Sequence, residues 1–563
     1  MKVVIVGGVA GGATAAARIR RLDEKAQIIV FEKSGYISYA NCGLPYYIGG
    51  VIEGRENLTL SSPDSFWDRY RVDVRVKTEV LQINPEAKTV TVKNLETGKT
   101  YEERYDKLLL SPGAKPIRPD LPGIDSERIH TLRTVEDTVH IREIILKTKA
   151  QKVLVIGGGF IGLEMAENLS EMGIDTTIIQ RSNHLLPTLD EDMAQLLHTQ
   201  FRKHGVTIRF GMNASAFEET EDGIVAVFDS GERIPSDRVI LAVGVSPDSH
   251  LAREAGLALG VKGSIAVDGH MQTSASDIYA VGDAVEINHL VTGKKAVIAL
   301  AGPANKEARV AADNICGVKS EYHGSAGSSV IKVFDLTAAT TGINEKTAKA
   351  SGIAYEKVVL SPASHATYYP GARNMTMKVL YEKGTERILG AQIIGYEGVD
   401  KRCDVIATAM QAGMKASGLA ELDLAYAPPY SSAKDPVNMA GFMIENIEKG
   451  FVKQFHWHDI PALQKSEDVF LLDTRTDREY NSGHVEGFHH IPIDDLRERL
   501  DEIPPGKPVY LMCQSGLRSY LSCRILSQNG FDCYNFSGGY SFYKAVVLDE
   551  QIANQSFPCG MEK

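Results

Sequence analysis

The sequence predicts a multidomain α/β protein in which one strand–loop–helix–strand pattern is used twice. An α+β segment and a separate C-terminal α/β unit follow. Three observations predict this. Lys2-Val-Val-Ile-Val-Gly-Gly-Val-Ala-Gly-Gly-Ala-Thr14 and Lys152-Val-Leu-Val-Ile-Gly-Gly-Gly-Phe-Ile-Gly-Leu-Glu164 repeat one design 150 positions apart. Residues from about 325 to 445 mix short strands with a helix and have no such loop. A fresh strand–helix alternation begins at Val469. A chain of 563 residues has room for three or four domains at about 100–200 residues each.

In the first unit an apolar, β-branched run reads as a buried parallel strand. Gly7 and Gly12 then open a helix, and the strand Gln27-Ile-Ile-Val-Phe-Glu32 follows. The glycines let the turn take unusual backbone angles and let a helix N-terminus approach a pyrophosphate without Cβ atoms between. This is the Rossmann-like βαβ dinucleotide-binding unit, although Val9 stands at the middle glycine position. The second loop, Gly157-x-Gly159-x-x-Gly162, has the full fingerprint and leads to the strand Asp175-Thr-Thr-Ile-Ile-Gln180. Two such units in one chain predict two dinucleotides. Glu32, 20 positions after Gly12, is placed to accept hydrogen bonds from a ribose diol; a solvated strand end is the alternative. The second unit ends instead in Gln180-Arg181, without a carboxylate. Arginine can pair with a 2′-phosphate, so this loop leans to NADPH or to dual use of NADH and NADPH.

Later strands complete the units: Lys107–Ala114, Asp237–Gly244 and Asp277–Ala284, the last ending in the acidic turn Val281-Gly-Asp-Ala284. Ser329–Phe334, Met375–Tyr381 and a helix from about Val399 to Ala412 make up the α+β segment. The expected domains are 1–112 with 245–324, 113–244, 325–445 and 459–563, with 446–458 a linker or connecting helix.

Composition narrows the function. A net charge of −11 and a pI near 5.8 argue against a general nucleic-acid surface, while leaving room for a local basic pocket for a phosphorylated ligand. No apolar run approaches the roughly 18 residues that span a membrane. The chain starts directly in a strand, which leaves no room for a signal peptide, so the cytoplasm is expected. Seven widely spaced cysteines make no disulfide framework and no Cys-x-x-Cys. His456/His458 and His489-His490 lack further ligands, so no metal is expected.

Two cysteines stand in unusual settings. Cys42 lies in Ser38-Tyr-Ala-Asn-Cys-Gly-Leu-Pro-Tyr-Tyr47, and the next cysteine is Cys316. A lone thiol here must pair with something from outside or carry an oxidised form itself. Its polar and small neighbours, Asn41 and Gly43, do not suit a core strand. Cys513 follows the strand Pro508–Met512 and opens Cys-Gln-Ser-Gly-Leu-Arg-Ser519 before a helix. Backbone N–H groups turned inward by such a loop favour an anion and lower a thiol pKa.

With these motifs assembled, the first 445 residues resemble the single-cysteine branch of the pyridine nucleotide–disulfide oxidoreductases, above all the coenzyme A-disulfide reductases. The last hundred resemble a rhodanese domain. The fusion is similar to coenzyme A-disulfide reductase–rhodanese proteins, described as NAD(P)H-dependent persulfide or polysulfide reductases. Asn41-Cys-Gly-Leu-Pro-Tyr-Tyr47, Val281-Gly-Asp-Ala284, Ala425-Tyr-Ala-Pro-Pro-Tyr430 and Cys513-x-x-Gly-x-Arg-Ser519 carry the resemblance. Leu472-Asp-Thr-Arg475 and Gly483-His-Val-Glu-Gly487 support its C-terminal part.

The resemblance implies FAD at the first loop, with Asp283 as its second contact, and NADH or NADPH at the second, with Glu164 near the nicotinamide. It implies coenzyme A held on Cys42 as a mixed disulfide. Arg18, Arg21, Ser38 and Asn41 would bind it, with Lys306 and Arg309 as further candidates; Arg18 and Arg21, three apart on a helix, share a face. Residues 325–445 would form a dimerisation domain, making the protein a homodimer. Its Tyr368 and Tyr426 would donate hydrogen bonds at the substrate sulfur of the other subunit. Cys513 would carry a persulfide, with Arg518 adding positive charge, and Cys523, Cys533 and Cys559 would be bystanders. CoA-disulfide, CoA-persulfide and polysulfide are the implied substrates. Two alternatives stay open: an NADH oxidase or peroxidase cycling Cys42 through sulfenic acid, and a non-catalytic sulfur-relay or redox-sensing protein.

Overall fold

The computed structural model describes residues 1–554; Cys559 lies outside them. The chain divides into two units, Met1–Asn183 with His204–Gly327, and His184–Lys203 with the residues from Ser328 onward.

The first unit holds two five-stranded parallel sheets. One runs in the order Ile278–Ala280, Lys107–Leu110, Lys2–Val6, Gln27–Phe31, Val72–Arg75. The other runs Ile129–His130, Arg238–Leu241, Lys152–Ile156, Asp175–Gln180, Thr207–Phe210. Val3, Val4 and Ile5 are fully buried, as a strand covered on both faces requires. Ile278–Ala280 follows the strands of the second sheet in the chain and pairs with Lys107–Leu110 in the first. Helices Pro63–Tyr70 and Val135–Thr148 begin with capping boxes on Ser62 and Thr134. The helices that leave the two glycine loops, Ala10–Leu22 and Phe160–Glu171, have neither a side-chain cap nor an acid in the first turn. Their N-terminal N–H groups are kept for something else.

The second unit is built on an antiparallel sheet in the order Ser329–Val333, Leu336–Gly342, Ile388–Gly395, Thr376–Glu382, Tyr355–Leu360. Helices Val399–Gln411 and Pro436–Glu448 share a core with it. The helix Glu191–Lys203 also belongs to this unit, although residues 113–244 were expected to form one domain. A buried charge cluster accounts for the difference. Lys378 is 0% exposed, and its ammonium lies 2.8 Å from Asp192 and 3.0 Å from Asp190, and also contacts Glu345. Glu345 is shared with Lys357, and Asp190 accepts a hydrogen bond from Gln392 at 2.6 Å. A buried charge needs such compensation, so the cluster fixes residues 190–192 to the sheet. Among the described residues, Asp190, Asp192 and Glu345 form the one acidic group tight enough for a shared cation, and the ammonium of Lys378 is that cation.

The C-terminal sheet is parallel, in the order Lys453–Phe455, Cys533–Phe536, Val509–Met512, Phe470–Asp473, His489–His490. The stretch 446–458 is therefore more than a linker. It holds the end of helix Pro436–Glu448 and then an edge strand of the C-terminal sheet, leaving four residues, 449–452, as the connection. That sheet also meets the antiparallel one: Val359 N–H donates to Ser537 Oγ at 2.9 Å, and Gln454 Nε2 donates to the Lys357 carbonyl at 3.2 Å. No described helix is long and apolar enough to cross a membrane.

Candidate active sites

The two glycine loops are built alike down to single hydrogen bonds. Gly7 N–H donates to the Phe31 carbonyl at 2.9 Å, and Gly157 N–H to Ile179 at 2.8 Å. Both glycines have positive φ, +95° and +114°. A Cβ on Gly12 would lie 1.8 Å from the Gly7 carbonyl oxygen, and one on Gly162 would lie 1.9 Å from that of Gly157. Gly159 has open space where a Cβ would be, leaving the mouth of the second loop clear.

The loops differ at the end of the second strand. Glu32 is buried and accepts N–H bonds from Gly8 and Ser34, both at 2.8 Å. Burial pushes its carboxyl up, opposed by those two bonds. In the second loop Gly158 N–H donates to Gln180 Oε1 at 3.0 Å, so a neutral amide occupies the equivalent position, and Arg181 beside it is exposed. Uncapped helix N-termini, glycines that admit close approach and a buried ribose-side acceptor fit FAD in the first loop. The same cradle without the acid fits a nicotinamide dinucleotide in the second.

Asp283 pairs with Arg133 at 3.1 Å, a partner 150 positions away that the sequence reading missed. Glu307, also missed, is buried behind it and accepts the Gly282 N–H at 2.7 Å. Burial raises its carboxyl to about 7, with the Gly282 bond opposing and Asp283 adding.

Cys42 sits in the turn Asn41–Gly43, ahead of the short helix Leu44–Ile48. Gly49, just after that helix, packs against Asn168 on the second-loop helix. A Cβ there would come 2.1 Å from Asn168 Oδ1. This approach puts the cysteine turn beside Glu164, whose carboxylate is hydrogen-bonded by the Tyr46 phenol. Burial and then Glu167 push Glu164 up to about 7, with Tyr46 opposing. The Cys42 thiol reaches solvent, yet desolvation by the surrounding protein is the largest upward push on it; Glu164 and Asp283 add to this and Arg133 opposes it. The surrounding protein therefore favours the thiol. All six described cysteines are free.

A cavity of about 330 Å3 lies beside Ser38, lined also by Thr14, Arg21, Ser61, Ser65 and Arg69. Ser38 has φ of +46°, a costly conformation for a side chain with a Cβ, and its N–H donates to the Gly8 carbonyl. The face expected to hold Arg18 and Arg21 together is divided. Arg18 turns to Asp313, 2.7 Å away on helix Ala301–Ile315, while Arg21 is exposed into the cavity. Arg20, between them, donates to the carbonyls of Tyr70 and Arg71 and so fixes one cavity wall. Lys306 and Arg309 are on the exposed face of Ala301–Ile315 and do not line the cavity. Arg69 and the two serines come from the segment after Leu60, which carries no motif.

In the second unit the Tyr368 and Tyr426 hydroxyls are 2.8 Å apart, and both rings are exposed. That bond raises the Tyr426 phenol. The Cys513 loop is also formed. Gly516 has φ of +98° and sends its N–H to Cys513 Sγ at 3.1 Å, and Ser519 Oγ donates to the same sulfur at 3.2 Å. The cysteine is 0% exposed. Arg518, expected to lend its charge to the sulfur, forms two 2.7 Å bonds to Glu479. Cys523 and Cys533 are buried, and burial pushes both thiols up, Cys533 to about 12. His489 stacks on Phe470, and His490 on Tyr480 with a ring nitrogen at the Arg475 carbonyl.

Comparisons with known proteins agree with this geometry. Residues 1–308 match the pyridine nucleotide-disulphide oxidoreductase family, 328–436 its dimerisation domain, and 457–545 the rhodanese-like domain. The coenzyme A disulfide reductase of Staphylococcus epidermidis is 40% identical over 442 residues, which cover 78% of this chain and 99% of that protein. The solved structure of reduced Bacillus anthracis CoADR-RHD has 48% identity and a TM-score of 0.95, covering 97% of this chain and 98% of the other. The NAD-dependent persulfide reductase from A. fulgidus has 39% identity and a TM-score of 0.90, covering 96% of this chain and all of the other. The chain belongs to the pyridine nucleotide-disulphide oxidoreductases, as a relative of the coenzyme A disulfide reductases that carries a rhodanese-like domain.

Proposed function

We propose that this protein is a homodimeric NAD(P)H-dependent flavoenzyme that reduces CoA-disulfide, CoA-persulfide or polysulfide at Cys42, with Cys513 as the sulfur carrier. The observation that carries the reading is the setting of Cys42. A solvent-reaching thiol stands on a turn packed against the second-loop helix, in the same unit as an arginine-lined cavity. Arg21 and Arg69 offer a phosphorylated thiol the guanidinium groups that its phosphates need. Asn41 and Ser38 flank the sulfur and the cavity.

As thiolate, Cys42 attacks CoA-disulfide, forming the mixed disulfide and releasing one CoA thiolate. With CoA-persulfide, attack on the inner sulfur gives the same mixed disulfide and releases hydrosulfide. Gly7, Gly12 and Glu32 would hold FAD, and Gly157, Gly159 and Gly162 the nicotinamide dinucleotide; together these groups would supply the two electrons that return the mixed disulfide to Cys42 thiolate and CoA thiolate. Arg133 favours the thiolate, and Glu164 works against it when charged. The paired phenols of Tyr368 and Tyr426 supply a proton to the leaving thiolate, acting on the other subunit. The neutral Gln180 and the exposed Arg181 support use of NADPH as well as NADH. The cytoplasm, where thiols stay reduced and NAD(P)H is present, suits this chemistry.

Mass spectrometry of the unreduced protein tests the reading. A CoA-mass adduct on Cys42 that reduction removes is expected; sulfenic acid without CoA sinks it. NAD(P)H consumption should follow disulfide and persulfide substrates rather than peroxide or O2. Cys513→Ser should abolish turnover of large persulfides and spare small ones.

A further inference from the structure

The Cys513 loop holds a contradiction in charge. Its nest is aimed at the sulfur, with Gly516 N–H and Ser519 Oγ both directed at Sγ. Yet the fork of Arg518, the one cation within the loop, is filled. Its Nη1 and Nη2 each donate to a different oxygen of Glu479 at 2.7 Å. Glu479 is held for this from its other side. It is the N3 member of the capping box of helix Asp477–Asn481, and its Oε2 accepts from Thr476 N–H at 3.0 Å and Thr476 Oγ1 at 2.9 Å. The pair is about one-third exposed, whereas Cys513 beside it is fully buried. The Arg518 bonds hold the Glu479 carboxyl down at about 2, so it stays charged at any working pH.

A small sulfur donor with an oxyanion group, such as thiosulfate, needs a cation beside the attacking cysteine. Here it meets a cation already paired and a carboxylate that repels it. A donor whose reacting end is uncharged, or whose charges lie far from the sulfur, meets no such penalty. We infer that Glu479 is a specificity-determining residue that fills the Arg518 fork, excludes small oxyanion sulfur donors from Cys513 and reserves the loop for donors with uncharged reacting ends. This rests on Cys513 acting as a sulfur acceptor. The excluded step is balanced without further reactants: Cys513 thiolate attacks the outer sulfur of thiosulfate, an S–S bond forms, the bond to the sulfonate sulfur breaks, and sulfite leaves with the electron pair.

The test uses the full-length holoenzyme and two reagents read at Cys513 by peptide mass spectrometry. Thiosulfate adds one sulfur, and neutral methyl methanethiosulfonate adds a methylthio group with a sulfinate leaving group. Glu479→Gln should raise kcat/KM for thiosulfate about tenfold through KM, one charge-assisted contact being worth about that factor. The rate with the neutral reagent should stay within about twofold. Glu479→Asp, which keeps the charge, should remain near wild type, and Arg518→Ala added to Glu479→Gln should cancel the gain. Equal rises with both reagents would mean that the loop has merely loosened, and would overturn the role of Glu479 alone. An unchanged or lower thiosulfate rate in Glu479→Gln overturns it too. Failure of Cys513 to gain sulfur from thiosulfate in every variant, while the neutral reagent still reacts, overturns the role of Glu479; failure with both reagents overturns the carrier role as well.

Discussion

Lys378→Met removes the one positive charge, among the described residues, that the buried Asp190 and Asp192 and the partly buried Glu345 share. In the native cluster Asp190, Asp192 and Glu345 face Lys378 and Lys357, three negative charges against two positive. The variant leaves three against one, in a site where Lys378 has 0% exposure. Methionine has a similar length, so packing changes little. Breaking a buried ion pair from one side costs about 3–5 kcal/mol, because the remaining charge is buried and unpaired. At a urea m-value of about 2–3 kcal/mol/M, the midpoint of the second unit should fall by roughly 1–2 M. The chain has two tryptophans, Trp67 in the first unit and Trp457 in the second. A Trp67→Phe background makes Trp457 fluorescence a reporter of the second unit alone. The pH dependence has a definite sign. Lys378 and Lys357 hold Glu345 below its ordinary range against the opposing effect of burial. A carboxyl lowered in the fold contributes stability above its unfolded pKa and loses it as pH falls. The gap between wild type and variant should therefore be full at pH 7 and narrow below about pH 4.5. A loss under about 1 kcal/mol at pH 7, or a gap constant from pH 7 to 4, would refute the reasoning.

Gly12→Ala places a methyl group 1.8 Å from the Gly7 carbonyl oxygen, so the purified variant should lack the flavin absorbance band while the far-UV signal of the second unit persists. Glu164→Gln removes a group that titrates near 7 and, when charged, pushes the Cys42 thiol up. The midpoint of Cys42 alkylation against pH should move down by about half a unit to one unit, and an unmoved midpoint would count against the contact. Arg21→Ala should raise KM for CoA-disulfide about tenfold and leave that for pantethine, which lacks the nucleotide, unchanged; equal effects on both would remove Arg21 from phosphate binding.

Much of this was legible from one dimension, because the signals are local. Gly7, Gly12 and Glu32 lie within one βαβ unit, as do Gly157, Gly159 and Gly162, and the Cys513 nest is a single seven-residue loop. What stayed hidden depends on contacts between distant positions. Arg133 reaches Asp283, and Arg518 reaches Glu479, 39 positions apart. Spacing on helix Ala10–Leu22 put Arg18 and Arg21 on one face, yet Asp313 claims one of them. The sequence shows 446–458 only as a linker or connecting helix, because a three-residue edge strand such as Lys453–Phe455 carries too little periodicity to stand out. The helix Glu191–Lys203 kept its place in the sequence of the second glycine unit but followed Lys378 into another core.

The hydrogen bonds from Val359 to Ser537 and from Gln454 to Lys357 have a consequence beyond architecture. Tyr355–Leu360 is the outer strand of its sheet, and four of its six residues are buried. Left bare, such an edge offers N–H and C=O groups to any passing strand and seeds self-association. The C-terminal domain shields it. Cutting the chain at residue 448 would thus remove the rhodanese-like domain and also bare these edge groups. Those two hydrogen bonds give part of this edge a partner within its own chain.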